Sequence, residues 1–401
     1  LILELSMLSA GELELQNVLK QAQNMLPVLS STAFTTQQSR RMLPEVHSAF
    51  LNAGFYKIMQ PKAYGGLELE FGSQTQLGIV LAQACGSSSW VATLLACHAW
   101  ILGMFPKQAQ DDVWGANPNA LIASSFMGDQ PKVKKVPEGL LLSGRWKFSS
   151  GVDYSDWNIL LAHCPDPNDS AKKLSFYVLL PKKDYVIEDV WNSAGMSGTG
   201  SNDIVLKEVL IPEHRLLNAM KLTGGQTPGS EINKGYLYQQ PMFGTFSFNL
   251  IGNVIGLAKG AANVVLESLK ARTALSGATV SANQSIKLRV AEALTEISAA
   301  QALVERNLQE IILAGKSQQT IDISTRARYR GENGFASKLC VSAVERLLPV
   351  LGARGLESEN AFQRIWRDIN AVSQHIALTW DVQGTIYGSV ALGYDCPDPR
   401  V

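Results

Sequence analysis

The chain has 401 residues, 46% of them hydrophobic, which is ample for sizeable cores in two or three domains or in one large composite fold. Thirty-five basic residues balance thirty-five acidic ones, so no net field draws the protein to a nucleic acid or an anionic membrane. The five cysteines, Cys85, Cys97, Cys164, Cys340 and Cys396, are odd in number and form no C-x-x-C pair, which argues against a disulfide framework or a zinc site and for a reducing, cytoplasmic setting. Leu1 to Leu8 lacks a basic flank and a cleavage signature, and no run approaches the roughly 18 apolar residues of a bilayer span, so neither export nor a membrane is expected.

From Ala10 to about Phe55 the apolar positions recur at helical spacing, with Pro44 placed to start a new helix. Gln60 to Leu67 is a loop marked by Pro61 and the pair Gly65-Gly66. Leu77 to Phe105 returns to small and apolar residues, a buried helix broken near Gly86 that carries Trp90, His98 and Trp100. Residues 1–118 therefore read as an N-terminal helical domain.

Over residues 119–225 short Val, Leu, Ile and Phe runs alternate with Gly, Pro, Asn and Asp, the pattern of an antiparallel β domain; Ser175 to Leu180 and Asp203 to Leu206 are two such runs. Gly144 to Trp157 reads as strand, bend, strand. Its serines Ser149 and Ser150, followed by Gly151, set small hydroxyls where backbone can approach a flat ligand, although the same residues also suit a hairpin with cross-strand aromatic packing.

Thr223 to Lys234 is polar and Gly-rich and suits a mobile connection. The helical period resumes in four long segments, about Phe243–Leu275, Ala282–Ala314, Ile321–Leu351 and Glu359–Leu392, so residues 226–401 read as a four-helix bundle with Ala-rich faces fit for packing between subunits. Gly198-Thr199-Gly200 opens a G-x-G, but Asp203 takes the third glycine slot in a β context, so no dinucleotide fold of the Rossmann type is present. The P-loop, H-E-x-x-H and G-x-S-x-G signatures are absent, and the five histidines have no ligand spacing, so no metal is expected.

Helical third, β third and helical bundle, together with the Pro61–Gly66 loop, the Gly144–Trp157 strands and the segment Trp191 to Asp203 leading to Val209-Leu210-Ile211-Pro212-Glu213-His214-Arg215, resemble the acyl-CoA dehydrogenase superfamily over nearly the whole chain. The implied fold class is α+β. Ser149-Ser150-Gly151, Ser89-Trp90, His98 after Leu94-Leu95, and Arg367-Asp368 with His375 are more similar to one branch, the oxygenase components of two-component flavin-dependent aromatic monooxygenases of the p-hydroxyphenylacetate hydroxylase type. Where many dehydrogenases carry a glutamate base, nine residues after the arginine of the Arg-Asp pair, this chain has Ile376, which weakens a dehydrogenase reading.

That resemblance implies a cytoplasmic homotetramer that receives reduced FAD or FMN from a separate NAD(P)H-flavin reductase. It would use O2, through a C4a-hydroperoxyflavin, to oxygenate a small aromatic; an acyl-CoA dehydrogenase or another flavin oxidase on the same fold is the alternative. Ser150 aligns with a hydroxyl near flavin N5, and His98 and His375 with catalytic cavity histidines. Trp90 and Phe243 match aromatics flanking the isoalloxazine, while Ser124, Phe148 and Ser149 fall in flavin-contacting stretches. Arg272 and Arg354 fall where relatives place cofactor-phosphate contacts, frequently from a neighbouring subunit. The substrate side comprises His98, Trp100, Ser124, Phe126, Gln240 and Phe243. Gln240 and Trp100 stand where the hydroxyphenylacetate enzyme has an arginine and a histidine, which favours a neutral flat substrate such as indole or a phenol.

Overall fold

Ser9 opens the first helix with a capping box: its hydroxyl accepts the Glu12 amide while the Glu12 carboxylate accepts the Ser9 amide. The computed structural model describes residues 9–166, 169–270, 280–398 and 401. Helix α1 (Ala10–Gln38) leads to α2 (Pro44–Asn52), which Pro44 begins because its missing N–H costs nothing there. Next come α3 (Ser73–Leu81), α4 (Gly86–Leu102) and α5 (Lys107–Trp114). Every residue of α4 is buried, which its lack of a charged face already requires. The break before it falls where expected, at Gly86, where a Cβ would sit 2.8 Å from Leu257.

The middle of the chain forms two four-stranded sheets. One holds β1 (Ile122–Ser125), β4 (Trp157–Asp166), β5 (Asp169–Pro181) and β8 (Leu216–Asn218); the other holds β2 (Met127–Val136), β3 (Gly139–Ser149), β7 (Asn202–Pro212) and β6 (Val186–Glu188), each in that spatial order. Trp146 joins the two layers, its indole N–H donating to the Leu161 carbonyl across 2.9 Å.

Two expectations are corrected here. The domain is not wholly antiparallel, because β1 runs parallel to β4. Nor is Gly144–Trp157 a hairpin: β3 pairs with β2 and β7, while β4 pairs with β1 and β5. The bend between them carries the chain from one sheet to the other, and Gly151 makes it possible with φ +71° and with Val91 and Leu95 close above it.

The C-terminal part contains the short turn α6 (Met242–Thr245) and the helices α7 (Phe248–Lys270), α8 (Gln284–Lys316) and α9 (Ile323–Leu351). The fourth expected segment is two helices, α10 (Ala361–Val372) and α11 (Trp380–Ala391). The turn between them is held by the His375 carbonyl, which accepts the Leu378 and Thr379 amides, so the break needs neither Gly nor Pro. The run Met242–Lys270 is, by length and composition alone, long and apolar enough to cross a bilayer, against expectation; it lies mostly buried, with α3, α4, α9 and α10 packed around it.

Thr223 to Lys234 is not a free connection either. The Gly229 amide donates to the Met104 carbonyl and the Asn233 side chain donates to Gly103 and Gln110, which ties this stretch to the end of α4 and to α5.

Candidate functional site

Trp90, Leu94 and His98 are four residues apart, so they share one face of α4. That face looks onto the end of β3 and onto β1. The Trp90 indole N–H donates to the Ser150 hydroxyl oxygen at 3.1 Å, and the Trp90 ring meets His375 edge to face at 5.8 Å. The α10–α11 turn thus brings His375 against a residue nearly three hundred positions earlier.

His98 is held at both nitrogens. Nδ1 lies 2.9 Å from the Ile122 carbonyl, which can only accept, so Nδ1 carries the proton and Nε2 offers a lone pair. The Ser124 hydroxyl, 2.7 Å away, donates to that lone pair. Burial pushes the imidazolium form down to about 4, so His98 is neutral at physiological pH. His375 is also driven to about 4 by burial, and its Nδ1 accepts the Ala377 amide at 3.2 Å, which leaves the proton on Nε2.

A wall of rings runs on from His375. Phe246 lies 6.4 Å from it, Phe126 lies 6.1 Å from Phe246, Tyr177 lies 5.2 Å from Phe126, and Phe243 lies 6.0 Å from Tyr177. Offset and edge-on contacts of this kind exclude water and favour a flat guest. Gln240 stands beside this wall in sequence, buried, and its Oε1 has no hydrogen-bond partner. A buried acceptor left unpaired costs about 1–3 kcal/mol unless a ligand donates to it.

Ser150 belongs to a chain of hydroxyls. Its oxygen lies 2.7 Å from that of Ser201, which lies 2.7 Å from that of Thr199, which donates to the Met196 carbonyl at 2.8 Å. The Met196 amide in turn donates to a buried Asp368 carboxylate oxygen at 2.6 Å. Burial pushes the Asp368 carboxyl up to about 6, with the Met196 N–H and Arg364 opposing. The segment Met196–Ser201 is thereby gripped from α10 and clamped to the bend by the Gly151 amide, which donates to the Thr199 carbonyl.

Two candidate residues face elsewhere. Ser149 turns its hydroxyl inward, where it accepts from the Asn158 amide at 2.9 Å, so its side chain is corrected from a cofactor contact to a tie within the β domain. Trp100, 0% exposed, donates its indole N–H to the Leu237 carbonyl at 2.7 Å and packs on Phe71, so it is corrected from a substrate contact to core. Two residues beyond His98 on a helix is the opposite face. Arg354 lies exposed on the turn 352–356, away from the ring cluster in sequence and setting, and Arg272 lies outside the described residues. Ser201, Thr199, Tyr177 and Phe246 escaped the sequence reading as site residues, although Thr199 and Ser201 sit in a segment it singled out.

A flat heteroaromatic cofactor fits the free side of this cluster. Phe148, two residues before Ser150, is 50% exposed at φ +66° with Trp191 edge-on to it, and Ile376, next to His375, is 66% exposed. Phe148 and Ile376 thus leave apolar surface uncovered close in sequence to Ser150 and His375, the two residues that Trp90 joins. Among the described residues no group of three or more His, Cys, Asp or Glu could hold a metal ion.

Residues 250–380 match the family described as acyl-CoA dehydrogenase, C-terminal domain. The chain is 35% identical over 380 residues to the oxygenase component of an FADH(2)-dependent resorcinol hydroxylase from Rhizobium sp. (strain MTP-10005), covering 91% of each chain. It is 31% identical over 400 residues to the flavin-dependent monooxygenase oxygenase subunit HsaA of Mycobacterium tuberculosis, covering 98% of this chain and 100% of that one. The solved structure of XiaF from Streptomyces sp. in complex with FADH2 and glycerol superposes with a TM-score of 0.89 at 25% identity, over 97% of this chain and 98% of that one.

Proposed function

Because the chain belongs to the oxygenase components of flavin-dependent monooxygenases, on the acyl-CoA dehydrogenase fold, we propose that it oxygenates a neutral aromatic, indole or a phenol, with O2 and reduced FAD or FMN supplied by a separate NAD(P)H reductase. The observation that carries this reading is the convergence of Ser150, the Ser124–His98 pair and the ring wall on one side of α4. The bound reduced flavin supplies the means to activate O2 and deliver one oxygen atom to the ring.

Trp90, Phe148 and Ser150 would hold the flavin, with the free lone pair of Ser150 accepting its N5–H. Phe126, Phe243 and Phe246 would stack around the substrate and keep water out. Ser124 donates to His98, so its own oxygen is free to accept a phenol O–H or an indole N–H. As electron density moves from that heteroatom into the ring, its proton shifts toward Ser124 and that of Ser124 toward Nε2 of His98. The same neutral imidazole that burial keeps unprotonated is therefore available as the acceptor. Gln240 offers its unpaired oxygen to a further polar group, and an uncharged partner suits an uncharged amide.

Arg354, exposed at the end of the bundle, suits a cofactor phosphate bound by a neighbouring copy in a homotetramer, which sedimentation of the purified protein tests. For the activity itself, the protein is supplied with FAD or FMN, a generic reductase, NADH and 18O2, and offered indole and simple phenols. The expected product carries one labelled oxygen. Peroxide as the sole product across both flavins and the whole panel would refute the assignment.

A further inference from the structure

The Ser150–Ser201–Thr199 chain has a direction. At one end the Trp90 indole N–H is a donor only, and at the other the Met196 carbonyl is an acceptor only. Thr199 must then point its hydrogen at Met196 and accept from Ser201, and Ser201 must accept from Ser150. The Ser150 O–H is spent inward, and its oxygen, already taking the Trp90 N–H, can only accept from a ligand. Running the chain the other way would turn a Thr199 lone pair onto the Met196 carbonyl oxygen at 2.8 Å, two acceptors in contact. It would also turn the Ser150 O–H outward as a donor.

These two directions match the two redox forms of a flavin. Reduced flavin carries a hydrogen on N5 and needs an acceptor there; oxidised flavin has a bare N5 lone pair and needs a donor. We propose that Thr199 and Ser201 are positioning residues that fix the direction of the Ser150 O–H and so make the site prefer the reduced over the oxidised flavin. This rests on the reading of Ser150 as the partner of flavin N5. Trp90 anchors one end of the chain, while Asp368, by holding the Met196 peptide, anchors the other from the bundle.

The test measures, without oxygen, the dissociation constants of reduced and oxidised FAD and FMN for the wild type, Ser201→Ala, Thr199→Val and Ser201→Thr. In Ser201→Ala the Ser150 hydroxyl loses its inward acceptor and is free to swing out. In Thr199→Val, Ser201 loses its own acceptor and turns its hydrogen onto Ser150, which drives the Ser150 hydrogen outward. Both should lower the oxidised-to-reduced ratio at least tenfold, chiefly through tighter binding of the oxidised form, and Ser201→Thr, which keeps the hydroxyl, should hold it at the wild-type value. A tenfold change in the ratio lowers the two-electron potential of the bound flavin by about 30 mV, which redox titration reads independently. The Trp90 indole N–H resonance of the flavin-free proteins should stay at a hydrogen-bonded position, showing that the cluster has kept its place.

An unchanged ratio in both variants with that resonance intact overturns the proposal, as does a wild type that binds the two forms equally. A wild type that binds neither form fails differently, since it removes the flavin reading itself.

Discussion

At the scale of single residues, the proposed site divides into a flavin side and a substrate side whose loss should read out differently. Ser150→Ala removes the acceptor proposed for N5–H while leaving Ser124 and His98 in place; the share of consumed oxygen released as peroxide should rise severalfold with substrate binding little changed, as a coupled peroxide assay would report. His98→Asn breaks the pair with Ser124, and turnover should fall by roughly a hundredfold, the scale of a positioned acid–base group. Reduced flavin should bind that variant as before. Gln240→Arg places a cation beside the ring wall, so kcat/KM for a carboxylated phenol should rise relative to unsubstituted phenol; equal ratios would take Gln240 out of the substrate contact. Part of this division is legible from periodicity alone. Trp90 and His98 share a helix face and Trp100 does not, and Ser149 and Ser150, adjacent at a strand end, point opposite ways. Resemblance pooled all five, and the helix period would have separated Trp100 from Trp90 and His98.

At the scale of elements, the candidate site is assembled by α4, by β1, by the bend after β3, by Met196–Ser201, by the turn that carries Phe243 and Phe246 and by the α10–α11 turn, pieces that share no local sequence. Asp368 is the tie among them that can be cut cleanly. Asp368→Ala leaves the Met196 amide unpaired, which should cost about 1–3 kcal/mol in urea unfolding and loosen reduced-flavin binding as the Ser150 chain loses its anchor. The order of helical and β segments was readable because the hydrophobic period switches between 3.6 and 2 at each border. Which sheet each strand joins was not, because alternation fixes the faces of a strand and says nothing of its neighbours; hence β3 and β4, consecutive in sequence, lie in different sheets. The break at His375 was hidden for a related reason. Carbonyl acceptance at one turn, with no Gly or Pro to mark it, is a feature of folded geometry. Thr223 to Lys234 looked loose because its partners at Gly103, Met104 and Gln110 lie over a hundred residues away.

At the scale of the whole molecule, the neutral imidazole of His98, shut away from water, gives stability a pH dependence. His98 takes up a proton near pH 6.5 when unfolded but only near 4 when folded, so between these values the unfolded chain binds the extra proton and the fold weakens as pH falls. At about 1.4 kcal/mol per pKa unit the full window is worth about 3 kcal/mol. Asp368 works in the opposite sense over its own window, from its ordinary value of 3.8 up to about 6, because the folded state there favours its protonated form. The comparison that isolates His98 is therefore wild type against His98→Asn: the stability difference between them should shift by about 3 kcal/mol from pH 7 to pH 4, and parallel curves would show that burial does not hold this imidazole neutral. The run Met242–Lys270 has a consequence of another kind. As the chain leaves the ribosome, α3 and α4 are already made but α8 to α11 are not, so this apolar helix spends more than a hundred residues of synthesis half-covered. A nascent chain at that stage is a natural client for chaperones that bind exposed apolar segments, and fragments ending soon after Lys270 should aggregate where the full chain stays dispersed.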